Sequence, residues 1–183
     1  MSKRLLSTAL AAVLGLAAFA PQAALAADGT VTFNGKILSS TCTVSNASGG
    51  NVAVTLPAVP VSSFSALGSV AGITPFSLNL TGCPTTPSGV VVGAAFSGSS
   101  IDTTTGAIKN ATGAGNSNVE VQLTNAAGTT PFNLNTNPNP VNATISAGGT
   151  ATLAYQAQYY QPTSTAVTAG TVTASVTYTL TYN

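Results

Sequence analysis

Histidine and tryptophan are absent from this chain of 183 residues, and charged side chains make up only 4% of it. Without histidine, a Ser-His-Asp arrangement for nucleophilic catalysis is impossible. Asp102 and Glu120 could meet as a carboxylate pair, but Asp102 lies in "SSIDTTTG", which is typical of a turn. No glycine-rich phosphate loop stands at a strand-to-helix junction. We therefore predict that the protein is not an enzyme, with no cofactor and no metal site.

The first 26 residues are predicted to be a cleaved signal peptide. The positive pair Lys3-Arg4 precedes an apolar run from Leu5 to Ala20, and Ala24-Leu25-Ala26 offers a small-x-small cleavage site. A cut after Ala20 also fits, and a short membrane anchor or a buried helix is the structural alternative. Because the run is short for a membrane span, we expect a mature chain, residues 27–183, that is exported from the cytoplasm.

The predicted mature chain is nearly uncharged. Two lysines, Lys36 and Lys109, oppose three acidic residues, Asp28, Asp102 and Glu120, so the side chains sum to minus one. There is no basic patch to neutralise phosphates, and we expect no binding to nucleic acid. With so few charges, solubility depends on Ser, Thr, Asn and Gln, or partners cover much of the surface.

Cys42 and Cys83 are the only cysteines. In an exported chain, two cysteines are typical of one disulfide. A metal site is a poor alternative, because the chain has no histidine and the two thiols have no obvious companion ligands.

Short apolar or alternating runs recur after the leader, separated by clusters of Gly, Pro, Asn and Ser, and this pattern is typical of a β-sandwich. No amphipathic helix, internal repeat or long linker stands out. The sequence predicts one all-β domain. The predicted strands are Thr30–Leu38, Val52–Leu56, Phe76–Thr81, Val90–Phe96, Val119–Thr124, Thr150–Tyr159 and Thr171–Tyr182.

Apolar and polar residues alternate at both ends of the predicted mature chain. Side chains on a strand point to opposite faces in turn, so each terminal strand has one apolar face. The apolar positions are Val31, Phe33 and Ile37 near the start, and Val172, Ala174, Val176, Tyr178, Leu180 and Tyr182 at the end. Either both are ordinary edge strands of their own sandwich, or one is given to a neighbour while the other needs a strand received.

The segment "GTVTFNGKILSSTC" resembles the start of mature pilin subunits of the chaperone–usher pathway, the type 1 and P fimbria families. The family pattern has an aromatic residue and a glycine in the first strand, here Phe33 and Gly35. Two cysteines about forty residues apart follow, which are Cys42 and Cys83. A penultimate tyrosine, Tyr182, ends the pattern, with a glycine fourteen residues from the C-terminus at Gly170. Residues 116–123 and 153–160 resemble internal strands of the same family.

This resemblance implies an all-β, incomplete immunoglobulin-like sandwich that lacks its last strand and carries an N-terminal donor strand. The implied organisation is a signal peptide at 1–26, a donor extension at 27–38 and a pilin domain at 39–183. The donor strand would place Val31, Phe33, Gly35 and Ile37 in a neighbour's groove. The implied acceptor groove and chaperone contact comprise Gly170, Val172, Ala174, Val176, Tyr178, Leu180 and Tyr182. Burying three donor side chains would contribute roughly 5–9 kcal/mol.

The function implied is that of a structural subunit of a surface fimbria, polymerised by donor-strand complementation and exchange and supporting cell adhesion. Its implied partners are copies of itself or other pilin subunits, a periplasmic chaperone and an outer-membrane usher. The implied route leads through the periplasm to the extracellular cell surface. One alternative is a secreted sandwich that binds carbohydrate or another surface through Tyr155, Tyr159 and Tyr160. Another is a coat-like structural protein that needs no dedicated chaperone.

Overall fold

The computed structural model describes residues 29–111 and 118–183, and the chain divides into two compact units. The first unit is Met1–Gly35, and its described residues, 29–35, form no helix or strand. The predicted signal peptide, residues 1–26, lies outside the described residues. The second unit is Lys36–Asn183, and it contains every strand described below.

The second unit is built almost entirely from β-strands. In chain order they are β1 (Thr43–Val44), β2 (Val70–Thr81), β3 (Val91–Ser97), β4 (Ile108–Lys109), β5 (Glu120–Asn125), β6 (Asn142–Thr144), β7 (Ala151–Tyr160) and β8 (Thr177–Tyr182). The helical content of the described residues is one turn of 3₁₀ helix at Val61–Ser63. In this part of the chain, no helix has the length and apolar character needed to cross a membrane.

The strands form two antiparallel sheets. The larger sheet has the order β1-β2-β7-β5-β4, and the smaller has the order β6-β3-β8. β8 pairs with β3 from Tyr182 opposite Val92 to Thr177 opposite Ser97. Its apolar side chains alternate with threonines and pack against the core. Within the described residues β8 has one neighbour only, so its other edge is open.

The hydrophobic core lies between the two sheets, and Tyr155 of β7 is one of its largest buried side chains. Its ring stacks on Phe76 of β2 at 5.2 Å and meets the edge of Phe96 of β3 at 5.5 Å. Desolvation by burial raises the pKa of the Tyr155 hydroxyl far above its ordinary value. The three rings therefore join the larger sheet to the smaller one by aromatic contacts.

Cys42 and Cys83 form the predicted disulfide, with their Cα atoms 4.1 Å apart. The bond links the residue before β1 to the loop that follows β2. The backbone N–H of Cys42 also donates a hydrogen bond to the hydroxyl of Tyr182 at 2.7 Å. The start of the sandwich is thus held both to β2 and to the end of the last strand.

Four predicted strands match the structure well. Those assigned to β3, β5 and β7 are displaced by one residue, and the strand predicted at Phe76–Thr81 is the second half of β2. β2 starts earlier, at Val70, because a β-bulge between Ala71 and Thr74 accommodates Gly72. Glycine and proline inside a strand usually indicate an interruption, which is why the first half of β2 was not predicted.

Three strand predictions are wrong in whole or in part, and the short strands β1, β4 and β6 were not predicted. Thr30–Leu38 and Val52–Leu56 are not strands, and only the second half of Thr171–Tyr182, the part in β8, is one. In all three segments, apolar and polar residues alternate as they do in β-strands. Alternation predicts the faces of a segment but not whether another segment pairs with its backbone.

We predict that replacing both Cys42 and Cys83 by alanine lowers the free energy of unfolding by about 4 kcal/mol, because the disulfide closes a long loop of the unfolded chain. Urea unfolding of the monomeric mature chain measures this change. The unsubstituted chain treated with a thiol reductant is the control and should unfold at the same midpoint as the double variant. A loss below about 1 kcal/mol would contradict the prediction.

Candidate functional site

A groove of about 1200 Å³ with an apolar floor lies between two extended segments of the second unit. One wall is residues 50–56, and the other is residues 172–178, which lead into β8. Among the described residues, no charged side chain lines the groove. Its floor is formed by apolar side chains of both sheets, namely Phe76, Leu78, Phe96, Ile108, Val121, Leu123 and Ala157. The site therefore suits an extended ligand that has one apolar face.

Both walls alternate between half-buried apolar residues and exposed ones. The half-buried residues pack against the core: Val52, Val54 and Leu56 on one wall, and Val172, Ala174, Val176 and Tyr178 on the other. The hydroxyl of Tyr178 donates a hydrogen bond to the carbonyl of Gly50 at 2.8 Å, which joins the two walls directly. The width of the groove at this point is thus set by a hydrogen bond within the chain.

The backbone of the 172–178 wall is hydrogen-bonded on one side only. The Thr173 carbonyl accepts from the Ala111 N–H at 2.7 Å, and the Thr173 N–H donates to Asn110 Oδ1 at 2.9 Å. In the part of the chain that the structure describes, the backbone groups of Val172 and Ala174 make no hydrogen bond. Successive residues of an extended chain point these groups to opposite sides. The unpaired groups therefore face away from Thr173's partners.

The opposite wall has even fewer backbone partners. Across residues 52–56 the structure contains no backbone hydrogen bond to any other described residue. Two unpaired backbone edges therefore border an apolar floor. Unpaired edges of this kind accept a further strand, and each backbone hydrogen bond made there contributes about 1 kcal/mol. The arrangement has the shape and the unpaired backbone groups to accept one further β-strand.

A second, smaller cavity of about 300 Å³ adjoins the groove and shares Tyr159 and Val172 with it. Its lining is almost wholly apolar and includes Val59, Val61, Phe64, Val119 and Val167. The floor of the groove, the 50–56 wall and this cavity were not predicted from the sequence. The alternation of Val52, Val54 and Leu56, which matches that of the last strand, was the available signal for the second wall.

The predicted acceptor residues lie in three places. Val172, Ala174, Val176 and Tyr178 line the groove, and Gly170 lines the second cavity. Leu180 and Tyr182 lie further along β8 and pack against the core. Leu180 and Tyr182 are not among the residues that line the groove. The role of all these residues in receiving a strand stays a prediction.

The predicted donor residues are strongly exposed. The side chains of Val31, Phe33 and Ile37 are 76%, 90% and 95% exposed, and nothing lies within 4 Å of where a Cβ on Gly35 would be. Large apolar side chains at such exposure are a marker of interaction sites. Their role as a donor strand stays a prediction.

The tyrosines considered for carbohydrate binding do not form an exposed platform. Tyr155 is only 1% exposed, and its ring faces are taken up by the core. Tyr159 is half-buried between the groove and the second cavity, where burial raises the pKa of its hydroxyl. Tyr160 pairs with Glu120 and Val70 inside the larger sheet. This run is an internal strand, as its sequence favoured.

The two carboxylates considered for catalysis stabilise a turn. Asp102 Oδ1 accepts hydrogen bonds from the backbone N–H groups of Thr104 and Thr105, at 2.8 and 3.0 Å, and these lower the pKa of Asp102. The Thr105 hydroxyl donates to Glu120 Oε2 at 2.6 Å. Burial nevertheless raises the pKa of Glu120. In the described residues no group of side chains is suited to hold a metal ion.

Comparison with known proteins identifies relatives along most of the chain. The sequence model of the family described as "Fimbrial protein" matches residues 31–183. The major fimbrial subunit SMF-1 of Stenotrophomonas maltophilia (strain K279a) is 40% identical over 180 residues, covering 91% of this chain and 99% of that protein. The F17 fimbrial protein of Escherichia coli is 40% identical over 176 residues, covering 93% of this chain and 96% of that one.

Solved structures show the same fold. The P pilus rod subunit PapA has a TM-score of 0.60 at 19% identity, covering 79% of this chain and all of that one. A chain from a chaperone–usher pilus has a TM-score of 0.60 at 21% identity, covering 90% of this chain and 99% of the other. At such identities the likeness concerns the fold, which is the incomplete immunoglobulin-like sandwich that the sequence predicted.

We predict that Gly72→Ala destabilises the protein more than Gly68→Ala does. Both glycines have a positive φ, +67° and +88°, so each substitution incurs a backbone cost of about 1–2 kcal/mol. At Gly72 the new Cβ would also lie 2.9 Å from Cδ2 of Tyr159, whereas nothing lies within 4 Å at Gly68. Thermal melts of the two variants measure the difference. Equal melting temperatures would contradict a structural role for the Gly72–Tyr159 contact.

We predict that Glu120→Gln increases the free energy of unfolding, relative to the unsubstituted protein, more at pH 7 than at pH 4.5. Because the folded pKa of Glu120 is raised above the ordinary value of 4.5, its contribution to stability is present below pH 4.5 and is lost as the pH rises through the folded value. Glutamine removes that loss. Urea midpoints at the two pH values measure it.

Asp102→Asn is the matched control with the opposite sign. The folded pKa of Asp102 lies below 3.8, so its contribution is present above that value and is lost in acid. The asparagine variant should therefore lose stability at pH 7. If both variants shift the midpoint in the same direction, the assignment of the two pKa shifts is wrong.

Proposed function

The chain belongs to the fimbrial protein family, and we propose that this pilus subunit polymerises by receiving the N-terminal strand of a neighbouring copy in its groove. As a structural subunit it is not an enzyme, and it assembles with other pilin subunits at the cell surface. The proposal concerns how that assembly is made and which residues make it.

The observation that carries the proposal is the pair of unpaired backbone edges along a charge-free groove. A strand inserted there would pair with the free groups of Val172 and Ala174 on one side and with residues 52–56 on the other. This is β-strand addition, of which chaperone–pilin complementation is a known example. The incoming strand would complete the smaller sheet next to β8.

The donor we propose is residues 27–38 of another copy. Val31, Phe33 and Ile37 alternate with polar residues, so one face of the strand presents three large apolar side chains to the groove floor. Gly35 would stand where the backbone must approach the floor closely. Burial of the three side chains would contribute roughly 5–9 kcal/mol before backbone hydrogen bonds and ordering costs are counted.

The export route belongs to the same proposal. Residues 1–26 would be removed as a signal peptide, and a periplasmic chaperone would cover the groove until an outer-membrane usher brings in the next subunit. The physical reason is that an open apolar groove with free backbone edges promotes aggregation. The finished fimbria would support cell adhesion. The compact unit that begins at Lys36 supports a boundary between donor and sandwich close to the predicted residue 39.

A peptide of residues 27–38 tests the proposal on a mature chain carrying Phe33→Asp, a variant that should accept a strand but not donate one. We expect a saturating amount of peptide to raise the melting temperature by about 10 °C or more, because several kcal/mol of binding energy would be added to the folded state. A peptide with Phe33→Asp is the matched control and should raise it far less. A high, cooperative melt with no response to either peptide would overturn the proposal.

A further inference from the structure

The large exposed apolar residues of the described chain fall into two groups. The first group is Val31, Phe33 and Ile37, which we assign to the donor strand. The second is a set of four residues on the sandwich, between 42% and 60% exposed: Val61, Leu67, Val70 and Ile73. We call this second group the 61–73 patch. Nothing in the proposed groove explains why these four side chains are exposed.

The 61–73 patch adjoins the second cavity. Val61 lines that cavity together with Gly170. Val70 pairs with Tyr160 at the end of β7, and the N–H of Gly68 donates to the carbonyl of Gln161 at 3.0 Å. The patch therefore lies where the chain leaves β7 and leads towards the 172–178 wall. Val61 lines the second cavity, which shares Tyr159 and Val172 with the groove, so this end of the patch adjoins the site proposed for the donor strand.

The sandwich begins beside the C-terminal end of β8, the strand into which the 172–178 wall leads. The N–H of Cys42 is bonded to the Tyr182 hydroxyl, and Lys36 Nζ lies 3.5 Å from the Asn183 carbonyl. The donor segment of each copy thus precedes residues that lie beside the end of β8. The segment from Gly170 to Tyr182 therefore runs from the patch towards the point where the sandwich begins.

These positions decide where a donating copy must sit. When each subunit donates from one surface and accepts on a different surface, the contacts between subunits are head-to-tail. In an open filament, the two neighbours of a copy therefore lie at different places. A donor strand antiparallel to β8, as are all pairs in this sheet, would leave the groove at the Gly170 end. The body of the donating copy then emerges beside the 61–73 patch.

We infer that the 61–73 patch is a second contact between neighbouring copies, covered by the body of the copy whose N-terminal strand fills the groove. The inference rests on the proposed function. It adds a surface that the donor strand itself does not touch. It also assigns the exposed Leu67 and Val70 a role that appears only in the polymer.

The double variant Leu67→Asn, Val70→Thr in the full mature chain tests this contact. Analytical ultracentrifugation measures the chain concentration at which half of the molecules are in polymers. We expect that concentration to rise by roughly tenfold or more, because two apolar side chains no longer leave water on association. Ala126→Asn, an exposed turn position, is the control and should polymerise like the unsubstituted chain.

A second measurement separates this inference from the proposed function. The melting temperature rise caused by the 27–38 peptide, in the Phe33→Asp background, should be the same with and without the double variant. If the double variant polymerises like the unsubstituted chain, the patch is not a contact between copies and the inference is overturned. The same result is expected if a different protein covers the patch. A peptide response that falls along with polymerisation would overturn it too, because the patch would then act through the groove. Loss of the peptide response in both backgrounds would overturn the proposed function, and the inference with it.

Discussion

The structure depends on the requirement that backbone N–H and C=O groups near an apolar core be hydrogen-bonded. Within the described residues, neighbouring strands meet this requirement for one another, and two segments that border one groove leave it at least partly unmet. A sandwich in this state is folded but incomplete, since water alone can satisfy those edges. The need for a partner strand is therefore part of the fold itself, and binding is the last step in completing the sheet.

Other features keep the incomplete edge in shape. The Tyr178–Gly50 hydrogen bond joins the walls, and the Cys42–Tyr182 contact anchors the end of β8. The Phe76–Tyr155–Phe96 contacts hold the two sheets together beneath the groove. A groove held open in this way loses little conformational entropy when a strand enters, which favours tight binding. The contacts within the complete part of the sandwich thus keep the groove in a shape that a further strand can enter.

Much of this architecture could be predicted from the sequence, and the main failures concern which segments pair. The alternation of Val172, Ala174 and Val176 with Thr and Ser predicted one apolar face, and these residues do line the groove. The disulfide followed from two cysteines in a chain predicted to be exported, and the all-β sandwich from the distribution of turn residues, whereas the missing last strand was implied by the resemblance to pilin subunits. Pairing was beyond reach, because alternation describes the faces of a segment and not its edges. Residues 52–56 were therefore assigned as a strand when they form a wall, and the cavity beside Tyr159 has no local sequence signal.

The position of the disulfide has a mechanical consequence for a filament. The proposed donor segment joins the sandwich next to Cys42, and Cys42 is covalently bonded to Cys83, at the start of the loop after β2. Tension along the filament would pass from the donor segment through this bond into the larger sheet, without peeling β1 from its edge. The inserted strand would be loaded parallel to its length, so that its backbone hydrogen bonds share the force and break together, not one at a time.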